Sequence, residues 1–259
     1  MDDRSSPTNH DHRAGHADRP CVLHGVGVGP GDPDLVTVRA SELLAGADVV
    51  FVPVLSPERT GHAERVALHY AEAWRIEQVV LGPHDRAVPG RREVAWAAAV
   101  RQVASWLESR PGALAVFATT GDVCLHSAFP RFARCVQDEV AGLRVELTPG
   151  ISPMQALAAR DGRSLAEPGE TLAVLPGTVD DAGLRTALKD FDCVVVERVG
   201  GRLDDTARML GSAGRLTRAI HGSSGGQPIP LGLPDHPSDP LPYLSTVIAS
   251  PSSRGSAEM

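Results

Sequence analysis

Cationic excess, aromatic side chains, paired cysteines and long apolar runs are all scarce in this chain of 259 residues, and each scarcity removes a class of protein. Lys and Arg number 25 against 32 Asp and Glu, a net charge of −7, so the chain lacks the basic footprint of a general nucleic-acid binder. A single lysine, Lys189, stands among arginines that are scattered rather than clustered, as a biased composition leaves them. The four cysteines, Cys21, Cys124, Cys135 and Cys193, show no CxxC spacing. That argues against a zinc ribbon or a thioredoxin-like redox pair, and the four read as small core residues. The apolar run Val94 to Val100 falls far short of the roughly 18 residues of a membrane span, and the N-terminus has no signal-peptide core. A cytoplasmic protein is expected, with no membrane, nucleic-acid or metal partner. Aromatics amount to 4%, so the core is expected to rest on Val, Leu and Ala.

What is present suits a globular chain: 42% apolar and 22% charged residues, in a length that allows one large domain or two small ones at about 150 residues each. Residues 1–20 are polar and aperiodic and are expected to form a mobile tail, solvated despite His10, His12 and His16. From Cys21 onward, β-rich apolar runs alternate with segments of helical period, the pattern of an α/β fold with a parallel sheet covered on both faces. Strands are expected at Cys21 to Val28, Asp48 to Val54, Ile76 to Leu81, Ala113 to Thr119 and Leu143 to Thr148, with helices near 34–46, 62–73, 90–109 and 127–140. In the third helix Trp96, Val100, Val103 and Leu107 form one apolar stripe. The step Pro149-Gly150 divides the chain into expected domains 21–149 and 150–250, followed by a tail at 251–259. The second begins with a helix from Ile151 to Arg160. It continues with strands at Thr171 to Leu175, Cys193 to Glu197, Leu216 to His221 and Tyr243 to Ala249, helices near 181–189 and 202–213, and a Gly- and Pro-rich connection at 222–242 able to cover a site.

The first strand runs into His24-Gly25-Val26-Gly27-Val28-Gly29-Pro30-Gly31-Asp32-Pro33, a glycine-rich turn at the carboxyl end of a strand, where open α/β sheets bind ligands. GxGxxG fails in both frames, at Pro30 and at Asp32. Pro30 has no N–H to offer an anion, and Asp32 brings negative charge, so a neutral or cationic ligand fits better than a phosphate. The glycines let the backbone approach a ligand closely, and Asp32 can cap the helix beginning near Pro33; a tight capped turn with no ligand explains the same residues.

The string GVGVGPGDPDLVTVRASELLAGADVVFVPV, with Thr119-Thr120-Gly121-Asp122, Thr148-Pro149-Gly150-Ile151-Ser152 and LAVLPG at 172–177 in the same order, resembles the tetrapyrrole methylases. The similarity runs over about residues 21–250. Phe51-Val52-Pro53-Val54, Gly61-His62-Ala63-Glu64-Arg65 and Pro242-Tyr243-Leu244-Ser245-Thr246-Val247 resemble the branch acting on precorrin-2 at C20. The resemblance implies two α/β domains with the ligand cleft between them, a homodimer, S-adenosyl-L-methionine as methyl donor and a tetrapyrrole as small-molecule substrate. It implies donor-binding positions at Pro30, Gly121, Asp122, Leu125, Ser152 and Pro153, and at Leu175, Pro176 and Gly222 in the second domain.

The family's second loop commonly reads Gly-Asp-Pro followed by a Tyr, where this chain has Gly121-Asp122-Val123-Cys124-Leu125-His126. Val in place of Pro loosens that turn, and His126 takes the aromatic position. His126 is a candidate proton carrier, or a residue that only fills the Tyr's space; Asp122 is a candidate catalytic or binding residue, or a helix cap. An acidic substrate calls for cations, and Arg59, Arg65, Arg91 and Arg92 are candidates, each equally readable as a solvated surface residue. Methylation at another ring position, and tetrapyrrole binding without turnover, stay open at this point.

Overall fold

In a computed structural model, residues 20–82, 90–216, 219–222, 227–231 and 245–250 are described. The expected tails, with His10, His12 and His16, lie outside them, as do Tyr243 and most of the 222–242 connection.

The first half builds a five-stranded sheet from β1 (Val22–Gly27), β2 (Val49–Val54), β3 (Ile76–Val80), β4 (Leu114–Thr119) and β5 (Arg144–Thr148), in the order β3-β2-β4-β1-β5 and wholly parallel. Its strands are apolar because both faces are covered. On one face α1 (Val38–Gly46) and α2 (His62–Ala67) bury Ala40, Leu44, Ala63 and Val66 against Val26, Val50 and Val116. On the other, α3 (Arg91–Glu108) and α4 (Phe129–Glu139) bury Val100, Val103, Leu107, Phe129 and Phe132 against Leu23, Phe51 and Phe117. The expected α3 stripe is the buried one. α2 ends six residues short of the expected helix, and the chain turns so that the Tyr70 hydroxyl donates to the Pro33 carbonyl at 2.7 Å.

The core rests mainly on Val, Leu and Ala, as expected, with phenylalanines added, while the expectation of core cysteines needs correction at Cys124. Phe51, Phe117, Phe129 and Phe132 are all fully buried in one cluster, so the few aromatics are concentrated where the core is thickest. Phe117 sits 5.3 Å from the Phe129 ring and 5.0 Å from the Phe132 ring, and a side chain at Gly25 would run into Phe129. Of the cysteines, Cys193 is buried but Cys124 is exposed, on a loop rather than in a core.

The second half builds a mixed sheet in the order β6-β7-β10-β8-β9, from β6 (Leu172–Pro176), β7 (Cys193–Glu197), β8 (Ala219–Gly222), β9 (Ile229–Pro230) and β10 (Thr246–Ala249). Only β6 and β7 pair in parallel; β10 runs antiparallel to both β7 and β8, and β8 antiparallel to β9. The parallel pattern expected throughout therefore stops at β7. β9 lies inside the 222–242 connection, and Leu216 precedes rather than opens β8. α6 (Asp181–Asp190) and α7 (Leu203–Ser212) cover one face through Leu184, Leu188 and Leu210. The other face is covered by α5 (Pro153–Asp161), whose Leu157 and Ala158 pack on Cys193, Val195, Ile220 and Ile248. α5 thus follows the first sheet in sequence but belongs to the core of the second.

Candidate functional site

The carboxyl ends of β1, β4 and β5 face the second sheet. β1 connects toward β2 and β4 toward β5, in opposite directions, so a crevice opens between these neighbouring strands, the usual place for a ligand in an open α/β sheet. The loops above it are locked to one another. Gly29 and Gly121 form an antiparallel bridge: Gly121 N–H donates to the Gly29 carbonyl at 2.7 Å and Gly29 N–H to the Gly121 carbonyl at 3.3 Å. A Cβ on Gly27 would lie 2.6 Å from the Gly121 oxygen, and one on Gly150 would lie 2.5 Å from that oxygen and 2.6 Å from the Gly27 oxygen. These glycines are required because three backbones meet with no room for side chains, which the reading of close approach to a ligand did not foresee. Pro30 is buried in this knot, and Asp32 caps the turn after it, its Oδ1 accepting from Asp34 N–H at 3.1 Å while Oδ2 pairs with Arg160 at 3.2 Å.

Asp122 joins two of the loops. Its Oδ1 accepts from Cys124 and Leu125 N–H at 2.8 and 3.1 Å, and its Oδ2 from Gly150 N–H at 2.9 Å. Both oxygens are committed to the backbone, so Asp122 holds the cleft floor in shape. The same bonds fix the turn that Val123 was expected to loosen, and Val123 itself is fully buried in the first core. Ser152 caps α5, accepting from Gln155 N–H at 3.4 Å, while Gln155 Oε1 accepts from Ser152 N–H at 2.9 Å; Pro153 follows at the first helical position.

The second sheet closes the cleft with one row of residues. Pro176 registers with Glu197, Glu197 with Thr246 and Thr246 with Gly222, one residue from each of four strands; Leu175 stands one position back on β6. The cavity between the sheets is lined by Thr120, Asp122 and Leu125 from the first sheet, by Ser152 and Pro153 at the start of α5, and by Glu197, Arg198 and Thr246 from the second sheet. Asp122, Leu125, Ser152 and Pro153 are thus brought together as expected for one cavity; Pro30, Gly121, Leu175, Pro176 and Gly222 do not line it, although Pro176 and Gly222 pair with Glu197 and Thr246, which do. Arg59, Arg65, Arg91 and Arg92 do not line it. All four are exposed, on segments following the ends of β2 and β3, and Arg65 is engaged with the Thr60 carbonyl and His62.

Four lining residues escaped the sequence reading in this role: Thr120, Glu197, Arg198 and Thr246. Glu197 ends an apolar strand and is 4% exposed; its Oε2 lies 3.1 Å from His126 Nδ1, across the gap between the sheets, and its Oε1 is buried with no hydrogen-bond partner among the described residues. Arg198 and Thr246 flank it. The available signal was the charge at the end of CVVVE, a strand otherwise buried throughout.

A sequence model of the family described as Tetrapyrrole (Corrin/Porphyrin) Methylases matches residues 22–228. The Cobalt-precorrin-2 C(20)-methyltransferase of Salmonella typhimurium is 30% identical over 238 residues, which are 88% of this chain and 95% of that protein. Cobalamin biosynthesis protein CobIJ of Mycobacterium tuberculosis is 28% identical over 234 residues, 86% of this chain but 45% of that protein, so the chain spans about half the length of this relative. Among solved structures, Uroporphyrin-III C-methyl transferase from Thermus thermophilus complexed with S-adenyl homocysteine superposes with a TM-score of 0.58 at 22% identity, over 88% of this chain and 91% of that one, a likeness of fold.

Proposed function

The chain belongs to the tetrapyrrole (corrin/porphyrin) methylases, and from that premise we propose that it transfers a methyl group from S-adenosyl-L-methionine to C20 of precorrin-2, or of its cobalt-bearing counterpart, in cobalamin biosynthesis. The observation that carries this is the 30% identity, over 95% of its length, to the Salmonella typhimurium protein named for that reaction. We also read residues 21–149 and 150–250 as its two domains, because α5 is built into the second core, and expect a homodimer in the cytoplasm.

The cleft fits the donor chemically. A buried carboxylate oxygen at Glu197, without a hydrogen-bond partner among the described residues, suits a cationic sulfonium and would repel a phosphate. In this reading Pro30, Gly121, Asp122 and Leu125 hold the donor from the first sheet, Ser152 and Pro153 from the start of α5, and Leu175, Pro176 and Gly222 from the second sheet. Bound there, the donor supplies an electrophilic methyl group. The protein's part is to bring an electron-rich carbon of the macrocycle against it and keep water out, and such orientation is worth effective molarities of roughly 10⁵ M or more. Arg198, half-buried at the cleft, is better placed than Arg59, Arg65, Arg91 or Arg92 to meet a substrate carboxylate.

Incubation with labelled donor and precorrin-2 tests the proposal: a trimethylated product with the new methyl at C20 by NMR is expected. A methyl at another ring carbon would move the chain to another branch of the family. Donor and tetrapyrrole binding without transfer would overturn the enzymatic reading.

A further inference from the structure

Methylation at C20 leaves a carbon that must still lose its hydrogen, and Glu197, which lines the cavity, meets a side chain suited to receive it, that of His126. His126 Nδ1 lies 3.1 Å from Glu197 Oε2, and their side chains are 26% and 5% exposed. A carboxylate accepts, so this contact places the imidazole proton on Nδ1 and leaves Nε2 as a lone-pair acceptor. Among the described residues Nε2 has no hydrogen-bond partner. The other ionisable groups of the cleft are unsuited. Asp122 spends both oxygens on backbone amides, the free oxygen of Glu197 is closed off from solvent, and Arg198 is a permanent cation.

The backbone points the same way. Among the described residues, the non-glycine residues with left-handed φ are His126, at 48°, and Arg198, at 60°. One is the imidazole itself and the other adjoins its carboxylate partner, on the facing sheet. Residues held in this sparsely populated region cluster where a side chain must be aimed. Here the two unusual conformations fall at the two sides of one contact, at His126 and at the residue after Glu197.

We infer that His126, positioned by Glu197, takes the C20 proton after methyl transfer; this rests on the methyltransferase reading above. The new bond forms between C20 and the methyl carbon, the S–CH3 bond breaks, and the sulfur leaves as a neutral thioether. The macrocycle then carries one positive charge. His126 Nε2 removes the C20 hydrogen as a proton, and the C–H electron pair restores the conjugated double bond and neutralises that charge. The imidazolium is stabilised by Glu197 and releases its proton to water.

The test uses the full chain with precorrin-2 carrying hydrogen or deuterium at C20, and the variants His126→Asn, His126→Ala and Glu197→Gln. Loss of a general base lowers kcat by roughly 10²- to 10⁴-fold. His126→Asn is expected to do so with S-adenosylhomocysteine affinity by calorimetry and the KM for precorrin-2 little changed. It should also show a C20 deuterium effect on kcat that the wild type lacks, because proton removal has become limiting. Added imidazole should restore turnover to His126→Ala, and Glu197→Gln should show the same isotope signature with a smaller loss, both variants keeping the wild-type melting profile. If His126→Asn retains kcat, or loses donor-product affinity in parallel with kcat and gains no isotope effect, the pair only shapes the cleft and the inference is overturned. A wild-type chain that binds S-adenosylhomocysteine but leaves precorrin-2 unmethylated overturns the substrate reading and this inference with it; an active wild type with indifferent variants overturns this inference alone.

Discussion

Gly150→Ala is the sharpest perturbation of the knot of loops beneath the cleft. The added methyl would stand 2.5 Å from the Gly121 oxygen, 2.6 Å from the Gly27 oxygen and 2.7 Å from the Gly27 carbonyl carbon, where ordinary contact begins at 3.4 Å. The loops would have to part by up to 0.9 Å, the difference between 3.4 and 2.5. All three atoms are backbone, so no rotamer can relieve the clash. Overpacking of this kind typically costs about 1–3 kcal/mol, which for a chain of this size lowers the melting temperature by about 2 to 12 °C. The separation also moves Asp122 and Ser152, and a misplacement near 1 Å costs about 10²-fold in rate. Thermal melts, calorimetry with S-adenosylhomocysteine and labelled methyl transfer read the three effects. Gly46→Ala is the control: a Cβ there meets nothing within 4 Å, so it should be neutral or slightly stabilising. A Gly150→Ala protein with the wild-type melting temperature and donor-product affinity would refute the claim that three backbones close-pack at this point.

Asp122→Ala removes the acceptor of three backbone N–H bonds, and since bonds to a charged group contribute about 1.5–3 kcal/mol each, less for a partly exposed one, it should melt well below the wild type. Asp122→Asn, which keeps an acceptor oxygen, should lose markedly less in the same melts. Burial pushes the Cys193 thiol up to about 11, so under native conditions near neutral pH an alkylating reagent should label Cys124 and spare Cys193 until the protein is unfolded, as peptide mass spectrometry can read. Burial also lowers the pKa of His24, against an opposing pull from Glu146, so His24 is held neutral, hydrogen-bonded to Thr148 Oγ1 at 2.8 Å. The unfolded state then binds the extra proton: stability from this group is full above the ordinary value of 6.5 and falls as pH descends through the lower folded value. Melting temperatures from about pH 8 to about pH 5 should show a decline that His24→Gln reduces.

The strands and helices of the first half were legible because their apolar periods are long and their punctuation is Gly and Pro, so β1 to β5 fall within a residue or two of their expected bounds. Direction was not. A strand buried on both faces, such as β7 or β10, carries the same run of Val and Ile whether its neighbour runs with it or against it. β9 is two residues long in a stretch read as connection, too short to carry a period. In the site, the loops could be found because each follows a strand end, but Glu197 could not be joined to His126, 71 residues away, without knowing that two separate sheets set them face to face. The glycines were found and their reason misread, since sequence marks where a side chain is missing without saying whether a ligand or another loop needs the space.

The two sheets share a single covalent connection, from Thr148 at the end of β5 to Pro153 at the start of α5. Its far end is a helix embedded in the second core, and its near end is tied at Gly150 to Asp122. Any motion that widens the cleft for a molecule the size of a macrocycle must therefore turn on these few residues, with α5 as the lever arm. The hinge of the molecule and the wall of its cavity are the same residues, Ser152 and Pro153 among them. A ligand pressing on that wall is pressing on the hinge, so occupancy and closure are one mechanical coordinate.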